Sequence, residues 1–180
     1  MNFFKDFPFI EQDTNARSLS FNCKGEITCI DARVLDELRR IVCETGLNAR
    51  ISVHPSAEAD LHNMIICQRY RNYVRPHLHT TKSETLHLID GELSVFIFDE
   101  EGHVIKRCDM SSAGVFLFRT SLNCYHTYVP TTDYVIYHES KRGPFTREGD
   151  SIFASWSIVE SDTAQVRRFI EGLLTMNGEI

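Results

Sequence analysis

Nowhere does the sequence approach the ~20 consecutive apolar residues that a bilayer-spanning helix requires, so membrane insertion is not expected. Its opening residues, Met1 to Asp6, are apolar only briefly and are soon interrupted by charge and by Pro8. They lack the apolar stretch and small-residue cleavage site of a secretory signal. There is no Cys-x-x-Cys pair. The six cysteines (Cys23, Cys29, Cys43, Cys67, Cys108, Cys124) are scattered without the short spacings of a disulfide framework. They read as mostly buried or half-buried thiols in a reducing compartment, which makes the cytoplasm the expected address. Basic clusters are equally scarce. The longest are Arg39-Arg40 and Arg167-Arg168, in helix-like segments, and the net charge is −6. A nucleic-acid partner would call for clustered Lys and Arg, so none is expected.

What is present fits one globular domain. The 180 residues are 42% hydrophobic and 24% charged, enough apolar material for a core at an ordinary surface charge. A short strand is expected at Glu26 to Ile30. Asp31 then reads as a helix N-cap, with Val34, Leu35, Leu38, Ile41 and Val42 at helical spacing and Gly46 as the stop, giving a helix over about 31–45. From residue 49 the texture changes to short apolar or β-branched runs. These lie at 49–53, 61–70, 73–79, 84–89, 92–98, 104–109, 114–119, 123–129 and 133–139, with a hairpin turn at Asp99-Glu100-Glu101-Gly102. Short strands at such spacing predict an all-β sandwich or barrel. Residues 141–156 read as a polar loop with Gly and Pro. From Asp162 to Met176, Val166, Phe169, Ile170, Leu173 and Leu174 share one face of an amphipathic helix. The expected organisation is an N-terminal segment over 1–48, a barrel over 49–156, and a terminal helical segment over 157–180.

One constellation carries chemistry. In a strand, side chains alternate between faces, so His77 and His79 point the same way, with Cα atoms roughly 6.6 Å apart. At that separation two imidazoles can converge on one ion. A four-residue turn follows, and Glu84 opens the next strand as an anionic third ligand. His126, in a distant strand, is the candidate fourth. Burying these groups together without a cation is costly. By contrast, His62, His87 and His103 read as structural or exposed residues. The same alternation puts Arg75 on the face of His77 and His79, where a guanidinium would seek Glu84, a carboxylate or a phosphate. Tyr128 shares the face of His126, either as a donor to substrate or as a core tyrosine.

The spacing His77-x-His79-x4-Glu84-x6-Gly91 resembles the first motif of the cupins, with Arg71 standing where that motif often begins with Gly. The second motif is matched in part: Gly114 and His126 are in place, while Ser121, Asn123 and Pro130 replace the usual Pro, Gly and Asn. More narrowly, the chain is similar to the WbuC-type cupin-fold metalloproteins from about Arg50 to Trp156. That similarity rests on Asn48-Ala49-Arg50 with His54 nearby, on Tyr73 to His79, on His138-Glu139-Ser140-Lys141-Arg142-Gly143-Pro144-Phe145, and on Phe153-Ala154-Ser155-Trp156. The resemblance implies a double-stranded β-helix, or jelly-roll, barrel flanked by an N-terminal and a C-terminal helix. It also implies a setting in bacterial surface-polysaccharide (O-antigen) biosynthesis, and pairing of two copies as a homodimer. His54, His138, Arg50 and Lys141 belong to its segments and are candidates for the barrel mouth. Either His138 or Glu139 must face inward.

Three histidines and a glutamate suit Zn, Fe, Mn or Ni as a single divalent ion. An octahedral ion would keep two positions for water or a small-molecule substrate. The expected function is therefore a metal-dependent enzyme acting on a small polar substrate such as a sugar or nucleotide-sugar. Three alternatives stand beside it: a non-catalytic ligand-binding or sensory module, a purely structural metal, and a metal-free sugar-nucleotide epimerase or isomerase. The paired histidines and glutamate argue against the last.

Overall fold

The structure is a computed structural model that describes residues 3–16, 18–146 and 149–176. The outermost residues of both terminal segments, Arg17, and Arg147-Glu148 of the polar loop lie outside the described residues. Twelve strands and two helices follow in order: β1 (Ile10–Gln12), β2 (Leu19–Cys23), α1 (Ala32–Thr45), β3 (Ala49–Ser52), β4 (Leu61–Arg69), β5 (His77–Leu78), β6 (Glu84–Asp90), β7 (Leu93–Phe98), β8 (Val104–Met110), β9 (Leu117–Thr120), β10 (Tyr125–Pro130), β11 (Tyr134–Arg142), β12 (Ile152–Phe153) and α2 (Thr163–Thr175). One sheet runs β1-β2-β3-β4-β11-β6-β9, the other β12-β5-β10-β7-β8. Strands β4 to β11 pair in nested fashion, β4 with β11, β5 with β10, β6 with β9 and β7 with β8, as if one long hairpin had been rolled up. This is the double-stranded β-helix of the cupin fold.

Strand alternation divides the apolar residues into three clusters. Leu86, Leu88, Leu93, Val95, Ile97, Val135 and Tyr137 meet between the sheets. Ile51, Ile65, Cys67 and Ile136 leave the outer face of the larger sheet and pack under Val34, Leu38, Ile41 and Val42 of α1. Phe96, Phe98 and Val129 leave the outer face of the smaller sheet and meet Ile170 and Leu173 of α2. The result is four layers, helix–sheet–sheet–helix. Both helices stop and start where the sequence predicts. The Asp31 carboxylate accepts from the N–H groups of Arg33 (3.0 Å) and Val34 (3.2 Å). Gly46 takes a left-handed φ of 71° with its N–H on the Val42 carbonyl at 3.0 Å. Asp162 caps α2 through Gln165 N–H at 3.0 Å.

The nine expected barrel strands are all present, and the Asp99 turn closes with the Asp99 N–H on the His103 carbonyl at 3.0 Å. Gly91 joins β6 to β7 at φ 81°, where a Cβ would come within 2.4 Å of the Tyr134 carbonyl, so only glycine fits. Three expectations need correction. Residues 141–156 are not all loop, because β11 runs on to Arg142 and Ile152–Phe153 form β12, which pairs with β5. Residues 26–30 are irregular, and the strand before α1 is β2, at Leu19–Cys23, which pairs in parallel with β3. The strand expected over 73–79 is regular only at His77–Leu78. Ahead of it the chain bonds to side chains rather than to a ladder: Tyr73 Oη donates to the Ile158 carbonyl at 2.8 Å, and Thr127 Oγ1 donates to the Val74 carbonyl. No helix among the described residues is long and apolar enough to cross a membrane.

Candidate metal centre

Two histidines of the smaller sheet, a third just beyond its strand β5, and one glutamate of the larger sheet meet between the sheets. His77 on β5 and His126 on β10 are direct register partners. His79 follows β5 immediately, and its carbonyl is tied to the loop before β10 by Asn123 N–H at 2.8 Å. Ring centroids are 4.5 Å apart for His77–His126, 5.0 Å for His77–His79 and 5.7 Å for His79–His126. The ligand atoms of the three lie within 4.8 Å of one another, and all three residues are buried. Glu84 heads β6 with Leu86 and Leu88 on the same inward face. Its carboxylate faces two of the imidazoles, Oε1 at 3.0 Å from His126 Nε2 and Oε2 at 3.2 Å from His79 Nε2.

The tautomers follow from the backbone. His77 Nδ1 lies 2.9 Å from the Arg75 carbonyl, His126 Nδ1 2.9 Å from the Cys124 carbonyl, and His79 Nδ1 against the Asp150 carbonyl. A carbonyl only accepts, so each Nδ1 carries the proton and donates it. In a neutral ring that leaves every Nε2 as a bare lone pair turned inward. Two of these lone pairs confront the Glu84 carboxylate, an arrangement of acceptors that only a second proton or a cation can bridge. Metal-bound histidines are held in this way, with the outer nitrogen on a carbonyl and the inner one on the ion. The triad His77, His79 and His126 can thus hold a metal ion, and the donor set fits one.

The electrostatics point in the same direction. Burial, reinforced by His126, pushes the His77 imidazole down to about 4, so it stays neutral. Burial pulls His79 down too, but the adjoining Glu84 carboxylate outweighs it and raises His79 above its ordinary value. For Glu84, burial favours the neutral acid, yet His126 and His79 together hold the carboxyl well below the usual range. An ionised carboxylate thus draws a compensating positive charge into the cluster.

Around the centre lies a buried ionic network in which Lys82 and Asp150 were not expected from the sequence. Lys82, in the turn between His79 and Glu84, bonds the Asp150 carboxylate and, at 2.7 Å, the Pro144 carbonyl. Lys141 on β11 is 3.0 Å from Glu139 and 3.9 Å from Asp150. Burial opposes its charge, but Glu139, Glu84 and Asp150 raise its pKa above the ordinary lysine value. Asp150 therefore reaches the centre twice, through its backbone on His79 and through its carboxylate on two ammonium groups. Lys141 was a candidate only as a member of the WbuC-like segment His138 to Phe145. Asp150, in a polar loop 71 residues beyond His79, gave no sequence signal.

The other expected site residues fall elsewhere. Arg75 does not reach Glu84: its Nε donates to Ser157 Oγ at 2.8 Å and its guanidinium stacks 4.5 Å above the Phe153 ring, which itself lies 6.4 Å from His77. Because β5 begins only at His77, the alternation assumed for Arg75 does not extend to it. Tyr128 is a core residue, edge-on to Tyr137 at 5.8 Å, and burial lifts both phenols well above their usual pKa. Glu139 faces inward. His138 shares the outward face of Ile136, with Nε2 3.1 Å from Asn63 Oδ1. His54 stacks on His62 at 4.0 Å, and its Nδ1 is taken by the Asn63 backbone. His103 pairs with Asp99 in the exposed turn, and His87 lies 5.7 Å from Phe116.

Residues 30–110 match the family profile of a domain of unknown function, DUF6016. No curated protein matches the chain. Among solved structures, it is similar in fold to the capsular polysaccharide assembling protein CapF from Staphylococcus aureus, with a TM-score of 0.50 and 12% identity over 58% of this chain and 31% of that one. CapF with the inhibitor 3-isopropenyl-tropolone gives the same TM-score and identity over 58% and 30%. An uncharacterized double-stranded β-helix protein from Klebsiella pneumoniae has a TM-score of 0.46 and 13% identity over 59% of this chain and 79% of that one. The chain thus spans about a third of the length of CapF.

Proposed function

We propose that this chain is a metal-dependent cupin enzyme acting on a small polar substrate, a sugar or nucleotide-sugar of bacterial surface-polysaccharide (O-antigen) biosynthesis. One divalent transition ion, Zn, Fe, Mn or Ni, is held by His77, His79, Glu84 and His126. The carrying observation is the set of three inward Nε2 lone pairs, each fixed by a backbone carbonyl, around an ionised Glu84. A bound divalent ion supplies Lewis acidity to a substrate oxygen and acidifies a bound water. The chain's own residues orient the imidazoles, balance charge through Lys82 and Lys141, and exclude bulk water. The setting is drawn from the WbuC-like segments, Tyr73 to His79, His138 to Phe145 and Phe153 to Trp156. CapF, named as a capsular polysaccharide assembling protein, is similar in fold, which is in keeping with a setting of that kind. A homodimer and a cytoplasmic address belong to the same reading.

A screen of nucleotide-sugars with metal-loaded protein tests it. Turnover should disappear on chelation and in Glu84→Gln while the circular dichroism of the barrel is kept. Turnover that survives complete metal removal contradicts the proposal. A purely structural ion is favoured by one observation, the burial of all four residues, with Glu84 only 3% exposed. That reading predicts that chelation unfolds the barrel outright.

A further inference from the structure

The inward face of the larger sheet carries a row of polar residues at the level of the candidate metal centre. Across the ladder the row runs His62 on β4, Lys141 on β11, Glu84 on β6 and Thr120 on β9, each the register partner of the next. Thr120 is 3% exposed, it shares the inward face of β9 with Phe118, and its hydroxyl has no hydrogen-bond partner among the described residues. Further along β11 on the same face, Tyr137 is wholly buried. Its hydroxyl lies near that of Tyr128 but makes no hydrogen bond of good geometry among the described residues. Buried hydroxyls without partners are uncommon, and each has a proton to give.

Charge adds a second, independent constraint. The connected buried ionic groups are Glu84, Glu139, Asp150, Lys82 and Lys141. Three carboxylates against two ammonium groups leave one net negative charge, which a divalent cation on neutral imidazoles turns into one net positive charge. An unbalanced charge between two apolar sheets is costly. The loaded centre therefore calls for one further negative charge, carried by a group that accepts hydrogen bonds.

We infer that the loaded centre binds, between Glu84 and its register partner Thr120, a small monoanion with a carboxylate-like head, which accepts the Thr120 hydroxyl and neutralises the excess charge. This rests on the metal reading above and narrows its substrate class to molecules presenting a carboxylate or equivalent oxyanion. Neutral sugar hydroxyls satisfy the hydroxyl donors but leave the charge unanswered.

The test is calorimetric titration of metal-loaded protein with acetate and with its neutral isostere acetamide, after metal content has been fixed by elemental analysis. The inference predicts saturable acetate binding at one per chain, at least tenfold tighter than acetamide and absent from the metal-free protein. Thr120→Val keeps the shape, the metal content and the unfolding midpoint, but weakens acetate at least fivefold. Tyr137→Phe leaves acetate unchanged and serves as the control for a remote hydroxyl. Equal binding of acetamide, or acetate binding that Thr120→Val leaves untouched, overturns the inference while the metal site stands. Protein that takes up no metal overturns both readings, and the elemental analysis shows this before any anion is added.

Discussion

Two groups of histidines pack ring against ring, and only one is arranged for a cation. In His77, His79 and His126 the backbone occupies Nδ1 and the three Nε2 atoms converge. In the His54–His62 pair the rings stack at 4.0 Å with an interplanar angle of 17°, so their in-plane lone pairs run side by side and cannot meet at one point. Their nitrogens are spent locally, His54 Nδ1 on the Asn63 backbone and His62 Nε2 on the Ala57 carbonyl at 3.1 Å. Ligand competence therefore depends less on how many imidazoles are near than on which nitrogen the backbone leaves over. A carboxylate matters as well. Glu84 faces the first group, and among the described residues none is bonded to the second.

The comparison breaks if the two groups respond alike to substitution. The largest effect is expected for His126→Ala, which removes the central donor and should abolish metal binding measured by titration with a chromophoric competitor. Next is Lys82→Met. It frees the Asp150 loop that carries the carbonyl partner of His79, and should weaken metal affinity about 10–100-fold, as loss of an outer orienting partner does. It should also lower unfolding stability by about 3 kcal/mol, because Asp150 is left buried with only the more distant Lys141. His62→Ala should cost about 2 kcal/mol in urea unfolding through lost packing, with the metal content of the folded protein unchanged. His54→Ala, at a half-buried position, should cost no more than about 1 kcal/mol and again leave the metal alone. Loss of metal in either of the last two would dissolve the distinction.

Most of the fold was legible because both periodicities were clean. Alternation along β6, β7, β10 and β11 sorts residues to opposite faces, and α1 carries its apolar stripe between an Asp cap and a Gly stop. Three of the metal candidates were named from spacing, since His77 and His79 bracket one residue and Glu84 follows one turn later, whereas His126 was chosen as a histidine in a distant strand. Strand β2 was missed because its five residues come to rest only by pairing with β3, across the whole of α1. Arg75 was misplaced because Tyr73 to Arg75 look extended but belong to no strand, Tyr73 and Val74 being held through side-chain hydroxyls. Which of His138 and Glu139 faces inward was undecidable without the phase of β11, which Val135 and Tyr137 fix by packing between the sheets. Asp150 could not be found at all, because its role arises where a distant loop folds back over His79.

The central claim, one divalent ion on His77, His79, Glu84 and His126, is tested most directly by elemental analysis of the purified protein beside an otherwise identical His77→Ala, Glu84→Ala variant. The account predicts about one equivalent of a single transition metal per wild-type chain and none in the folded variant. Absence of metal from the wild type after reconstitution, or equal metal in both proteins, would contradict it.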